Sequence, residues 1–209
     1  MNMFYNARAR ILIICSLAGG LMFTACQKEL DLESSSTGVI TTVKMKPRVG
    51  TRWTYTYYSY YPWGGLIKSY TVGHKAMSEE TLGGEKWLNI VDTSTMATVY
   101  YLNEKTGGLY QYFNSASNLL CKSPATVNET YTSFGGTEVF KVKGVNDTIP
   151  TGLGDIPANY YEGANTGGVV IDNIWYNEYA WIVRRYFYVV PLFSPPYKGS
   201  ALFLQKIEY

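Results

Sequence analysis

Histidine is almost missing from this 209-residue chain, where His74 is the only one. A Ser-His-Asp or Cys-His catalytic arrangement would have to be built on it, and a zinc ion would have to find its other ligands elsewhere. It sits in VGHKAM, without a nucleophile elbow or metal-ligand spacing, and reads as an ordinary strand-end histidine. Cysteine is scarce as well. Of the three, Cys15 and Cys26 belong to the N-terminal region, so Cys121 stands alone in the rest of the chain. A lone thiol forms no intramolecular disulfide, and the fold must stand on its core. Behind two leucines in NLLCKSP, Cys121 reads as a small buried hydrophobe, and Lys122 is a weak partner for a thiolate. No stretch shows a sustained i, i+3, i+4, i+7 apolar stripe, which excludes a long amphipathic helix. No Lys/Arg run or basic face is present. The formal charge of +2 rests on Arg8 and Arg10, and the chain beyond them is neutral. Nucleic-acid binding needs several phosphate-neutralising cations on one face and is excluded. The glycine-rich pieces GGEK, TGLG and GANTGG match neither a phosphate loop nor a dinucleotide fingerprint and read as turns.

The longest apolar run is ILIICSLAGGLMF, residues 11–23, preceded by Arg8 and Arg10. A basic segment followed by a short apolar one is a secretory signal, and the run is shorter than the roughly 20 residues that cross a bilayer. Phe23-Thr24-Ala25-Cys26 then resembles a bacterial lipobox, with Phe23 where leucine is usual. The expectation is cleavage before Cys26 and its acylation, which makes Cys26 a membrane anchor. Residues 27–44, QKELDLESSSTGVITTVK, hold no aromatic residue and too little apolar area to order themselves. The expected organisation is a signal peptide over 1–25, a lipid-anchored tether over 26–44 and one domain over 45–209. The acidic group Glu29, Asp31 and Glu33 resembles the export signals that place some Bacteroidota lipoproteins on the cell surface. The expected location is the outer membrane, on its periplasmic face or at the cell surface.

From Lys46 onward aromatic and β-branched residues dominate, with Gly, Asn, Asp and Pro between short runs. RWTYTYYSYY puts Trp53, Tyr55 and Tyr57 on one face and Thr54, Thr56 and Tyr58 on the other. ATVYYLNEKTGGLYQYF reads as a hairpin, with strands near 97–102 and 108–113 and a turn over 103–107. A polar loop follows before EVFKVKGV. Nine or ten short strands predict an all-β fold with little helix, either an antiparallel closed or half-closed barrel or a two-sheet sandwich. Roughly 165 residues are enough to bury about 70% of the chain surface in one core.

Three stretches resemble a group of uncharacterised Bacteroidota lipoproteins. Pro47-Arg48-Val49-Gly50-Thr51-Arg52-Trp53-Thr54-Tyr55 is similar to their opening strand. Tyr100-Tyr101-Leu102 with Gly108-Leu109-Tyr110 is similar to their central pair. Ile174-Trp175-Tyr176 with Ala180-Trp181-Ile182-Val183-Arg184 is similar to a late pair, and Thr148-Ile149-Pro150-Thr151-Gly152 stands at an intervening turn. The resemblance implies a curved antiparallel sheet and an extracytoplasmic lipoprotein, and it implies no reaction.

Twenty tyrosines and five tryptophans are the unusual feature. Tyrosine suits a half-buried pleated face, where the ring packs and the hydroxyl stays wet. Clustered exposed rings also mark interaction surfaces, and flat rings beside polar groups suit sugars or peptides. The candidate ligand-binding residues are Tyr57, Tyr58, Tyr60, Tyr61, Trp63 and Tyr197. Thr148, in Asp147-Thr148-Ile149, resembles a Bacteroidota O-glycosylation acceptor, and a plain turn at Asn146-Asp147 accounts for the same residues. Scattered carboxylates such as Asp155, Glu162, Asp172 and Glu178 identify no catalytic pair. The expectation is a non-catalytic, membrane-anchored protein with no catalytic residues, metal or cofactor, which binds an extracytoplasmic glycan or a protein partner. The alternative is a periplasm-facing carrier or assembly factor for an apolar or lipid ligand.

Overall fold

The computed structural model describes residues 45–192 and 195–209. The expected signal peptide, the tether and Cys26 lie outside the described residues. Twelve antiparallel strands follow one another: β1 (Arg52–Tyr60), β2 (Leu66–Leu82), β3 (Glu85–Asp92), β4 (Thr98–Lys105), β5 (Gly107–Phe113), β6 (Ala116–Ser123), β7 (Thr130–Ser133), β8 (Glu138–Thr151), β9 (Gly154–Asn165), β10 (Val170–Asn177), β11 (Trp181–Val189) and β12 (Tyr197–Glu208). The only helical element among the described residues is a single 3₁₀ turn, Phe134–Gly136. The strands form one sheet in the order β6-β5-β4-β3-β2-β1-β12-β11-β10-β9-β8-β7, so the first and last strands pair and the free edges belong to β6 and β7. This is a nearly closed up-and-down barrel, as the strand pattern predicts.

The seam between β6 and β7 is bridged by side chains. Tyr131 on β7 donates its hydroxyl to the carbonyl of Leu120 at 2.9 Å, and the Tyr161 hydroxyl donates to the carbonyl of Lys122. Two edge carbonyls that would otherwise invite another strand are thereby occupied. Gly108, at φ +134°, lies against β6 so closely that a Cβ would meet the Cys121 carbonyl oxygen at 2.0 Å.

Alternation along each strand decides what fills the interior. On β1, Trp53 and Tyr55 are buried while Arg52 is exposed; the register pairs Trp53 with Ile207 and His74, and Tyr55 with Leu204 and Val72. Trp53 donates its indole N–H to the Ala180 carbonyl at 2.9 Å, and Tyr55 donates to the Ile182 carbonyl at 3.0 Å. Both bonds bind β1 to the β11 region across β12. Trp181 takes φ +61° and is held there by stacking on Trp53 at 5.8 Å and by donation of its indole N–H to Glu104.

Because the strands run strictly up and down, successive turns alternate between two ends. At the base lie the entry of the chain at Thr51, the Gly83-Gly84 turn and the β10–β11 turn. At the mouth lie the β1–β2, β5–β6 and β9–β10 turns. The long β8–β9 hairpin is bent by register shifts between Val142 and Gly144 and between Gly144 and Asp147, and it curls across the base. Its tip docks on β12, where the Gly152 N–H donates to the Leu204 carbonyl at 3.2 Å. A Cβ on Gly152 would stand 2.5 Å from the Gln205 carbonyl oxygen, so this approach requires glycine.

Several local expectations are corrected. Strands β6 and β7 occupy what reads as a polar loop. β6 buries the consecutive pair Leu120 and Cys121 at a register shift, which hides its alternation, and β7 has only four residues. The β4–β5 turn is confined to Thr106 instead of spanning 103–107, because Glu104 finds partners in Lys46 and Trp181. Asn146, at φ +57°, is part of a bulge inside β8 and not a turn. His74 lies within β2 and not at its end. It is buried between the rings of Tyr55 and Tyr100 at 5.2 and 6.0 Å, and that burial lowers its pKa.

Candidate functional site

The outer wall carries an aromatic ladder built by strand register. Tyr160 on β9 lies opposite Trp175 on β10, Trp175 opposite Arg184 on β11, and Arg184 opposite Phe203 on β12. These positions alternate with buried residues, so all of them face outward. Tyr160 and Trp175 stack at 4.3 Å with planes 3° apart. Trp175 meets Tyr186 edge-on at 5.3 Å, Tyr186 meets Phe203 at 5.7 Å, and Phe203 meets Tyr58 of β1 at 5.2 Å. Tyr58 stacks on Tyr60 at 6.3 Å. Six rings from five neighbouring strands thus form an unbroken band, roughly 20 Å across at ordinary strand spacing.

Cations are set into this band. The Arg184 guanidinium lies 4.7 Å from the Phe203 ring and 5.5 Å from Trp175. The Lys198 ammonium lies 4.0 Å from Tyr186 and 5.5 Å from Tyr60. Partial burial raises the phenol pKa of Tyr60 and Tyr188 and pushes Tyr160 up to about 12, so these hydroxyls stay protonated and both donate and accept. The ladder therefore offers flat apolar faces beside neutral hydroxyls and fixed cations.

The sequence-derived candidates divide between the two faces of the wall. Tyr57 points inward, packs on the core and meets Tyr70 at 4.9 Å. Tyr58 and Tyr60 point outward and end the ladder. Tyr61 and Trp63 lie in the β1–β2 turn at the mouth, stacked at 4.5 Å and 7°, with Trp63 77% exposed. Tyr197 opens β12 and is half-buried. Thr148 is an exposed residue of β8, just past the bulge. Tyr160, Trp175, Tyr186 and Phe203 are absent from the sequence-derived set, although each lies in an alternating aromatic run. Their common signal is one outward aromatic per strand, and it becomes visible only once the register is known.

Inside the mouth is a cavity of about 590 Å³, lined on one bank of the seam by Phe113 and Asn118 and on the other by Phe134 and Glu138. Its floor is the buried pair of Arg185 and Asp172, in which Nε and Nη2 donate to the two carboxylate oxygens at 2.5–3.1 Å. The carboxylate keeps the guanidinium charged, while burial pushes the Asp172 carboxyl up. Cys121 is fully buried beneath, and burial raises its thiol well above the usual range, which suits packing rather than thiolate chemistry.

No family model matches the chain, and no curated protein matches it. Two solved structures are similar to it. One is named as an exported protein with a YmcC-like fold, from Bacteroides fragilis NCTC 9343. It is 10% identical, with 79% of this chain and 98% of that chain covered and a TM-score of 0.43. The other is named as a lipoprotein, from Parabacteroides distasonis ATCC 8503. It is 13% identical, with 78% and 97% covered and a TM-score of 0.38. Likeness at this level carries no chemistry from one chain to the other, and function has to be read from the residues themselves.

Proposed function

We propose that this chain is a membrane-anchored lipoprotein of the bacterial envelope that binds a glycan on the outer aromatic ladder of its barrel, without catalysing a reaction. The observation that carries the reading is the continuity of Tyr160, Trp175, Tyr186, Phe203, Tyr58 and Tyr60 across five strands. Pyranose rings present apolar C–H faces and a rim of hydroxyls, which match flat aromatic rings flanked by phenols and cations. An elongated band suits an elongated ligand. Acylation at Cys26 would tether the domain through its base, because the chain enters the barrel there. The alternative of a carrier for a purely apolar ligand is disfavoured by the charged floor of the interior cavity.

Two measurements test this reading. Intact mass of the protein taken from membranes should show loss of residues 1–25 and an acylated Cys26. An unmodified, uncleaved chain would remove the anchor. Titration of the unlipidated Cys26→Ala protein with a glycan panel should give saturable tryptophan quenching by one sugar class, weakened at least tenfold by Trp175→Ala. A flat response across the panel would overturn the glycan assignment.

A further inference from the structure

We propose that the cavity at the barrel mouth is a second binding site, one that takes the uncharged end of a saccharide chain. This rests on the glycan reading of the outer ladder and extends it to a different place in the fold. The starting point is Arg185, 7% exposed, whose Nε and Nη2 are committed to Asp172 while Nη1 finds no hydrogen-bond partner among the described residues. A buried guanidinium N–H without an acceptor is costly, and here it belongs to a side chain that lines an open cavity. Nη1 is covered in this structure, between the rings of Tyr100 and Phe187, so an acceptor oxygen from the cavity completes it once that edge of the guanidinium is uncovered.

Charge and polarity then narrow the ligand. Arg185 and Asp172 cancel one another. Glu138 lines the same cavity and forms no ion pair among the described residues, so the lining keeps one net negative charge. A carboxylate or sulfate ligand would meet Arg185 only by also facing Asp172 and Glu138. An ammonium ligand would suit Glu138 but leave Nη1 unmet and be repelled by it. A hydrocarbon would strand both groups. Hydroxyls satisfy both, accepting from Arg185 and donating to Glu138, and the side-chain amides of Gln111 and Asn118 line the same space. The Asn118 amide N–H groups are tied to the carbonyls of Phe113 and Ala116, which leaves its oxygen to accept from a ligand.

The remaining wall is aromatic. Phe113 and Phe134 meet edge to face across the seam at 6.0 Å, and the Phe187 ring lies 4.6 Å from the guanidinium. These rings offer apolar surface to C–H groups, which a pyranose ring gathers on one rigid face and a flexible polyol chain does not. A volume of about 590 Å³ holds a short oligosaccharide and falls within the usual range of small-molecule sites, roughly 300–1,000 Å³. The buried Arg185–Asp172 pair floors the cavity while its mouth side is open to solvent, so a chain end can enter from the mouth.

The test uses calorimetric titration of the unlipidated Cys26→Ala chain. The probes are maltotriose, laminaritriose, mannotriose and xylotriose, with trigalacturonate as the anionic control and dodecanoate as the apolar one. Retention on the matching polysaccharides is measured in parallel. One neutral trisaccharide should bind with 1:1 stoichiometry, weakened at least tenfold by Glu138→Gln and by Phe113→Ala. Both substitutions are at the rim and spare the Arg185–Asp172 pair. Trp175→Ala should instead reduce polysaccharide retention. The proposal is overturned if no neutral trisaccharide binds, if trigalacturonate or dodecanoate binds more tightly, or if trisaccharide binding responds to Trp175→Ala and not to the rim substitutions. Polysaccharide retention that persists without trisaccharide binding would sink the cavity site alone. Loss of both would sink the glycan reading with it.

Discussion

The inner and outer faces of the barrel wall use the same residues to different ends. Inside, the aromatics are tied to the backbone: Trp53 to Ala180, Tyr55 to Ile182, Tyr131 to Leu120 and Tyr161 to Lys122. Each fills core volume and places its one polar atom on a backbone carbonyl outside its own strand. Outside, the rings of Tyr160, Trp175, Tyr186, Phe203 and Tyr58 contact one another and the cations of Arg184 and Lys198. They stay partly exposed. The inner set closes the barrel, whereas the outer set leaves flat faces in water, an arrangement that a ligand completes.

Substitutions separate the two sets. Trp53→Ala should cost about 3–5 kcal/mol, as expected for a buried tryptophan, and chemical denaturation would register it as a lower midpoint. A loss under 1 kcal/mol would mean that the inner set does not close the barrel. Asp172→Ala strands a buried guanidinium and should cost about 3 kcal/mol, again by denaturation, while Asp172→Asn should cost less because an acceptor remains. Trp175→Ala should cost about 2 kcal/mol, from its ring contacts and the part of the indole that packs on the core, yet reduce glycan affinity at least tenfold. Trp63→Ala should change stability by less than about 0.5 kcal/mol and lower affinity a few fold. The smallest effect concerns pH. Burial holds the His74 pKa below its ordinary value of 6.5, so the folded state binds the proton less well than the unfolded chain. Stability from this group is present above that value and lost as pH falls below it. His74→Leu should flatten that part of the pH–stability curve.

Much of the fold is written in local alternation. Trp53, Tyr55 and Tyr57 share the inner face, as the spacing in RWTYTYYSYY requires, and the hairpin around Thr106 is where its glycines put it. What local pattern does not carry is pairing. Strand β6 hides because Leu120 and Cys121 are buried side by side, and β7 because an edge strand of four residues leaves little trace. The ladder is hidden for the same reason. Tyr160 and Phe203 are 43 residues apart, and only the β9–β10–β11–β12 register makes them part of one surface. The outward positions of Tyr58 and Tyr60 and the inward position of Tyr57 follow from alternation alone, and Trp63 sits in the turn that Pro62 and two glycines mark. The cavity was illegible as well, since Arg185 and Asp172 meet only across β10 and β11.

The most direct test of the central claim is a paired measurement on Trp175→Ala in the unlipidated protein, with thermal midpoint and affinity for the best-binding glycan taken on the same sample. The account predicts a midpoint within about 8 °C of the parent, as a change near 2 kcal/mol implies for a domain of this size, together with at least a tenfold loss of affinity. A large fall in the midpoint with unchanged glycan affinity would show that the outer ladder holds the barrel together and binds nothing.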